Sequence, residues 1–334
     1  MLSNTQIDLR HRYDAFMTFF ALIVALLLEQ VYPVQANHPV HAYSSKWLKW
    51  VRRQLDAPQQ KLAPFWAWSV STVLPSLAVA VSFHWVAAAS TLLAWIYFCV
   101  LAYATVGFRQ FSHHFSAIRL ALQEGRRDEA LQILKTWQPD VVISNDSSMW
   151  LVQVLRMGIL EAQRHVLGVI AALALGAALG LGPAGAVFYR LCGSFLRHSG
   201  NDHANHGVAQ DDSIAMSDTL YRWGQTAWHW VNWLPTRLTL FAFAVVGRFE
   251  DVLAVWREHS HRERTHNNAM LLDAASAVLG VRLDERPVDE PDALHTVQLV
   301  QVQESHLDAW IGLAWRGVML WIVVLGMLTL ARWF

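Results

Sequence analysis

The chain has 334 residues with equal numbers of acidic and basic side chains, so its formal net charge is zero. A chain of zero net charge has no overall positive electrostatic potential to attract nucleic acid, so no nucleic-acid partner is expected. Only 16% of the residues are charged and 54% are hydrophobic, whereas soluble domains contain roughly 25% charged residues. The composition therefore indicates a membrane protein embedded in the lipid bilayer. The 17 Trp residues agree with this, because tryptophan side chains are enriched at the level of the lipid headgroups.

Apolar runs predict six membrane spans, because about 20 apolar residues cross the hydrocarbon core of a bilayer. In chain order they cover about 14–32, 64–83, 86–107, 166–191, 228–246 and 310–331. The first run is followed by Glu29 and bulky residues instead of a cleavage site, which favours an uncleaved span. The fourth contains Gly182-Pro183, where the helix can break. The fifth contains Asn232 and Arg237, so it either crosses the bilayer or lies in it as an amphipathic element.

Positive residues predict the orientation of these spans. Lys and Arg concentrate in 33–63 and in 108–165, which places both segments in the cytoplasm by the positive-inside rule. With six spans, 248–307 is also cytoplasmic and both chain ends lie outside. The sequence thus predicts an all-α fold, a polytopic integral membrane helical bundle. It would form a single membrane domain over 1–334 in the bacterial inner membrane, with cytoplasmic helical segments 108–165 and 248–307.

Two polar segments, 108–137 and 199–217, have sequence features that predict their local structure. Apolar residues recur at helical spacing from Phe111 to Leu122, and EGRRDEA follows, so a helical hairpin is expected over 108–137. Gly125 suits the C-terminal stop of its first helix and Asp128 the N-cap of its second. The polar stretch 199–217 is expected to be a mobile loop.

Histidines, cysteines and glycines are the residues that could form a metal site, a reactive thiol or a phosphate-binding loop. His198, Asp202, His203 and His206 form one group, and His259, His261 and His266 another. Zinc sites need three or four convergent ligands in ordered spacing, and a solvated polar loop explains the first group better. Cys99 and Cys192 lie in apolar runs and are interpreted as buried, inert thiols. The glycine-rich 180–185 lies in an apolar run, so it predicts close helix packing or a break in the span, and not a phosphate loop.

Five segments carry a recognisable order of residues: Glu29 before His38-Pro39-Val40, FRQFSHHFSAIRLALQEGRRDEA, GPAGAVFYRL, VNWLPTRLTLFAFAVVG and NNAMLLDAASAVLGVRL. From about residue 15 to the end, the chain resembles the CobD/CbiB family of cobalamin-biosynthesis membrane proteins and their AmpE-type relatives. The last three segments resemble the family patterns G-x-x-G-A-x-x-Y-[KR], N-W-[VL]-P-[AS]-R-L-T and N-A-G-W-P-E-A-A-x-A-x-A-L-G-V-R-L.

The resemblance implies a site and a reaction. Synthases of this family join aminopropanol phosphate to a carboxyl group of adenosylcobyric acid, using ATP and magnesium. By resemblance the site residues would be Glu29, His38, Asn268 and Asp273, with Glu29 and Asp273 as metal ligands. From its position alone, Glu29 could equally be an interfacial carboxylate at the end of the first span.

The chain departs from the synthases at three acidic positions. Where they carry A-E-N-x-x-D-G, this chain has Ala162-Gln163-Arg164 and then Leu167-Gly168. Leu196 stands at the Asp of the family's Asn-Thr-x-Asp, and Met270-Leu271-Leu272 replaces Gly-Trp-Pro. Magnesium and triphosphate need oxygen ligands, chiefly carboxylates.

Three functional hypotheses follow. The favoured one is a non-catalytic, AmpE-like regulatory or signalling protein, whose partner would be another membrane protein or a corrinoid. The second is an active synthase. The third is a membrane protein of unrelated role that kept the scaffold.

Overall fold

The computed structural model describes residues 19–29, 39–55, 62–137, 147–204, 217–261, 266–283 and 299–331. Throughout these ranges the regular structure is helical, and the one extended pairing described is an isolated parallel bridge between Val281 and Val300. The chain is an all-α membrane protein, which confirms the predicted fold class.

Fourteen helices lie in the described ranges, in two compact units that are treated separately below. They are α1 Phe19–Glu29, α2 Pro39–Leu55, α3 Ala63–Ala89, α4 Thr91–Thr105, α5 Phe108–Gln123, α6 Arg127–Trp137, α7 Ser147–Ala162, α8 Gly168–Ala178, α9 Ala184–Ala204, α10 Asp218–Val231, α11 Trp233–Val246, α12 Phe249–His261, α13 Asn267–Leu279 and α14 Glu304–Ala331. A π-helical turn, Gln163–Leu167, joins α7 to α8. The described residues of 19–107, 168–232 and 322–331 form unit 1, and those of 108–167 and 233–321 form unit 2. The single membrane domain over 1–334 stays a prediction.

Three described helices are long and apolar enough to cross a membrane: Ala63–Ala89, Trp150–Ala178 and Glu304–Ala331. In the most apolar stretch of Trp150–Ala178, 72% of the residues are buried within the protein, against 22% in each of the other two. In the latter two, most residues of this stretch are therefore not buried within the protein. Shorter apolar helices are Phe19–Glu29, Thr91–Thr105, Ala184–Leu196 and Trp233–Val246.

The turn predicted between the second and third spans, at Phe83–Val86, is misplaced. The helix continues to Ala89, and α4 begins after Ser90, whose side chain accepts a hydrogen bond from the Leu93 amide. Apart from His84, the residues from Phe83 to Ala89 are apolar, so hydropathy alone could not locate the turn. The signal that does locate it is Ser90, because serine is a favoured helix N-cap.

The fourth predicted span, 166–191, is not one continuous helix. The apolar helix begins earlier, at Trp150, inside the segment predicted to be cytoplasmic, and it ends at Ala178. Gly180 and Gly182 follow with φ of 73° and 60°, a left-handed conformation that glycine adopts without a Cβ clash. The break predicted at Gly182-Pro183 therefore lies in the turn before α9.

The two helices around this turn approach each other closely. A Cβ atom added to Gly185 would lie 2.3 Å from the Ala172 carbonyl oxygen and 2.8 Å from the Gly176 Cα. Small residues allow such backbone contact between membrane helices. The prediction that these glycines serve close helix packing is confirmed.

The hairpin predicted over 108–137 is present as α5 and α6. Gly125 has a φ of 72° after the end of α5, as expected for a C-terminal stop. The N-cap assigned to Asp128 is wrong, because α6 begins at Arg127 and Asp128 lies in its first turn.

Two further boundaries differ from expectation. The stretch 199–217, predicted to be a mobile loop, continues α9 as far as Ala204, and 205–216 lies outside the described residues. The fifth predicted span, 228–246, divides at Asn232 between α10 and α11.

Candidate functional site

Several polar contacts that involve family-like segments lie in unit 2. Helix α11 carries WLPTRLT, α13 carries NNAMLLDAASAVL, and the π turn carries the residues that replace A-E-N. Helices α11, α12 and α13 pack against one another, α13 also packs against α7, and α11 contacts the π turn. Apolar residues of α13 (Met270, Leu271, Ala274 and Ala275) are buried, so this packing fixes the position of the polar side chains between the helices.

Arg237 is held at three points within unit 2. Its Nη1 atom donates to the Asn267 Oδ1 at 3.2 Å and to the Trp233 carbonyl oxygen at 3.1 Å. Its guanidinium carbon lies 4.0 Å from the centroid of the Trp233 ring, within the range of a cation–π contact. Arg237 therefore links α11 to the first residue of α13, and its partners are carbonyl oxygens and a ring.

We expect Arg237→Ala to lower the yield of folded protein and its melting temperature, because two hydrogen bonds and the ring contact disappear together. Hydrogen bonds from a charged donor contribute about 1.5–3 kcal/mol each, so a loss of at least about 2 kcal/mol in total is expected. Fluorescence-detected size exclusion and thermal melting measure the effect. Arg237→Lys is the matched variant, since it keeps the charge but not the planar fork. Unchanged yield and melting in Arg237→Ala would contradict the assignment.

The π turn places a neutral amide where the synthases carry a carboxylate. Gln163, its first residue, is buried, and its Oε1 lies 2.7 Å from the buried Thr239 hydroxyl of α11. The same hydroxyl lies 3.0 Å from the Pro235 carbonyl oxygen and can donate its one proton to either acceptor. π turns occur frequently at functional sites, and burying a neutral amide avoids the cost of burying an unpaired charge.

A carboxylate nevertheless remains beside this turn. The Glu161 Oε2 lies 3.0 Å from the His165 Nε2, and its Oε1 lies 3.5 Å from the Arg164 guanidinium. Sequence comparison with the family pattern missed Glu161 because it stands two residues before the aligned position. Helical i,i+4 spacing is the signal that pairs it with His165.

Another paired carboxylate of unit 2 is Asp273 on α13. Its Oδ2 lies 2.7 Å from the Nε2 of His259 on α12, whose side chain is only 3% exposed. Asp273 was a predicted site residue, whereas His259 had been grouped with His261 and His266 as a weak metal cluster. Nothing in the periodicity of α12 selects His259 from its neighbours, because the pairing depends on how α12 and α13 pack.

Of the other three predicted site residues, the structure describes Glu29 and Asn268. Glu29 ends α1 in unit 1 and is 2% exposed. Asn268 is exposed on α13, and its neighbour Asn267 is the residue that contacts Arg237. His38 lies outside the described residues. Joint magnesium binding by Glu29 and Asp273 stays a prediction, and the described ranges contain no group of three His, Cys, Asp or Glu side chains arranged for a metal.

Comparison with known proteins gives one informative similarity. No protein-family model matches the chain, and no solved structure matches it. The chain is 24% identical over 266 residues to the cobalamin biosynthesis protein CobD of Stutzerimonas stutzeri (strain A1501), which covers 78% of this chain and 80% of that protein. This weak homology extends over most of both chains and supports the resemblance to the CobD family; it does not show AmpE-type relatives.

Proposed function

We propose that this chain is a divergent multi-pass protein of the bacterial inner membrane that keeps a CobD-like scaffold without the full synthase chemistry. The observation that carries this proposal is the π turn, where Gln163 pairs with Thr239 at the position of a family carboxylate. A neutral amide bonded to a hydroxyl is a poor replacement for a magnesium ligand. We infer a regulatory or signalling role for this scaffold, in the manner of AmpE.

The described polar groups of unit 2 support the same conclusion through their charges. Gln163 lies within hydrogen-bond distance of Thr239, while Asp273 pairs with His259 and Glu161 with His165. A metal–triphosphate complex must compete with these internal partners for each carboxylate. Because leucine also replaces two further family acids, at Leu167 and Leu196, few oxygen ligands remain to bind the cation.

We therefore expect no amide product above background when the purified protein receives ATP, magnesium, adenosylcobyric acid and aminopropanol phosphate. Equally, the gene should not rescue a strain that lacks its own synthase. A synthase with A-E-N-x-x-D-G intact, expressed to the same level, is the positive control. Rescue that disappears in Glu29→Gln or Asp273→Asn would overturn the proposal.

The second candidate is an active adenosylcobinamide-phosphate synthase. It is favoured by two carboxylates of unit 2, Asp273 at a position of the family pattern and Glu161 two residues before one, and by the similarity to CobD. In this case Glu29, His38, Asn268 and Asp273 would form the site, with magnesium and ATP bound and a corrinoid as substrate. The complementation experiment separates the two candidates.

The proposed orientation has its own test. An impermeant thiol reagent applied from outside should fail to label cysteines introduced at Asn37, Asp128 or Arg264 in a Cys-free background, because all three are predicted to be cytoplasmic. Permeabilised cells provide the positive control for accessibility. Labelling of any of the three in intact cells would reverse the predicted orientation.

A further inference from the structure

One stripe of α2 combines positive charge with an exposed aromatic ring. Lys46, Lys49, Trp50 and Arg53 follow the i, i+3, i+4, i+7 spacing of one helix face. All four are exposed, Trp50 to 53%. The helix contains no acidic residue, and no ion pair to Lys49 or Arg53 is described. We name these four residues the α2 stripe.

The opposite face of α2 is already occupied by protein. Leu48 and Val51 are 1% and 0% exposed. Leu48 belongs to a core cluster with Ala67 of α3, Phe195 of α9 and Leu220 of α10. The helix therefore does not bury its apolar face in lipid, as a free amphipathic helix does. Its outward surface is the α2 stripe.

The contacts of Leu48 also show which part of α3, a candidate membrane span, lies beside α2. Ala67 lies in the second turn of that helix, which begins at Ala63. The same end of α3 carries the exposed aromatic rings of Phe65 and Trp66, and Trp223 of α10 packs edge-on against Phe65. Aromatic side chains concentrate at the lipid headgroups, so α2 lies at the headgroup level where α3 enters the bilayer.

We propose that the α2 stripe binds the headgroups of anionic phospholipids, with Lys49 and Arg53 contacting the phosphates and Trp50 lying among the headgroups. Charge complementarity selects an anionic lipid, because Lys49 and Arg53, for which no acidic partner is described, stand at the depth of the phosphates. Basic side chains beside a membrane strengthen binding to anionic lipid by about fivefold each. The proposal does not depend on whether the protein is a synthase.

The test uses the full-length protein in a zwitterionic detergent. Dioctanoyl phosphatidylglycerol, dioctanoyl phosphatidylcholine or inorganic phosphate is titrated while the melting temperature is recorded. The unsubstituted protein should be stabilised by phosphatidylglycerol at lower concentrations than by phosphatidylcholine. The double variant Lys49→Gln/Arg53→Gln should lose about 25-fold in apparent affinity for phosphatidylglycerol, from two contributions of about fivefold.

A matched variant separates local recognition from net charge. Lys135→Gln/Arg257→Gln removes two exposed cations from α6 and α12 and should retain the preference for phosphatidylglycerol. Independently, brominated phosphatidylglycerol should quench more tryptophan fluorescence in the unsubstituted protein than in Trp50→Phe. The proposal is overturned by an absent lipid preference, by an equal loss in both double variants, by saturation with phosphate alone, or by identical quenching with and without Trp50.

Discussion

Replacing Gly185 by alanine is expected to lower the apparent melting temperature of the solubilised protein by about 2–12 °C, since overpacking costs about 1–3 kcal/mol and each kcal/mol shifts melting by about 2–4 °C. The new Cβ atom would lie 2.3 Å from the Ala172 carbonyl oxygen and 2.8 Å from the Gly176 Cα. Both are backbone atoms, so no side chain can rotate away. Helices α8 and α9 would have to separate, and the turn containing Gly180 and Gly182 would be strained.

Gly312→Ala is the matched control for this effect. Gly312 is also a helical glycine, in α14, but an added Cβ atom would meet no atom within 4 Å. Alanine is favoured over glycine in a helix by about 0.5–1 kcal/mol, so this variant should melt at the same temperature or slightly higher. A similar drop in both variants would mean that the loss at Gly185 reflects the substitution in general and not the contact between α8 and α9.

The contact at Gly185 was anticipated from the sequence because its cause is local. Glycines and one proline inside an apolar run leave few physical options besides a break and close helix packing. The same local reasoning located the α5–α6 hairpin through apolar spacing and Gly125. Length and composition likewise sufficed for the all-α membrane fold, since a bilayer requires backbone groups to be satisfied within each helix.

Features that depend on packing between helices escaped prediction. The π turn at Gln163 leaves no mark in the apolar pattern, because one extra residue per turn does not change the hydrophobicity of the segment. A guanidinium within an apolar helix needs an oxygen partner, but only the packing of α11 on α13 identifies Asn267. Hydropathy could not place the turn at Ser90, because the residues before and after it are equally apolar.

The contact between His259 and Asp273 belongs to the same class, and its removal is expected to have the largest effect in unit 2. His259→Ala should lower the free energy of unfolding by about 2–4 kcal/mol, because breaking a buried pair leaves one charged partner behind, while the truncation opens a cavity. Asp273 is 20% exposed, and water can solvate it in part, so the lower half of that range is expected. Chemical denaturation in detergent measures the change.

A double-mutant cycle with Asp273→Asn isolates the pair itself. Residues in direct contact show coupling of about 0.5–3 kcal/mol, and a 2.7 Å contact to a side chain that is 3% exposed should give at least about 1 kcal/mol. Arg257→Ala, on the exposed side of α12, should change stability by less than about 0.5 kcal/mol. Additive single effects would show that the two side chains do not stabilise α12 against α13.

The same variants connect stability to function. If the protein fails in the complementation assay and the cycle shows strong coupling, His259 and Asp273 serve to hold two helices together. If the unsubstituted protein rescues the synthase-deficient strain, the stability of the Asp273→Asn variant decides whether Asp273 acts in the reaction or only in folding. A variant that remains folded with an unchanged denaturation midpoint but no longer complements would assign Asp273 to the chemistry, because a purely structural carboxylate would lose both properties together.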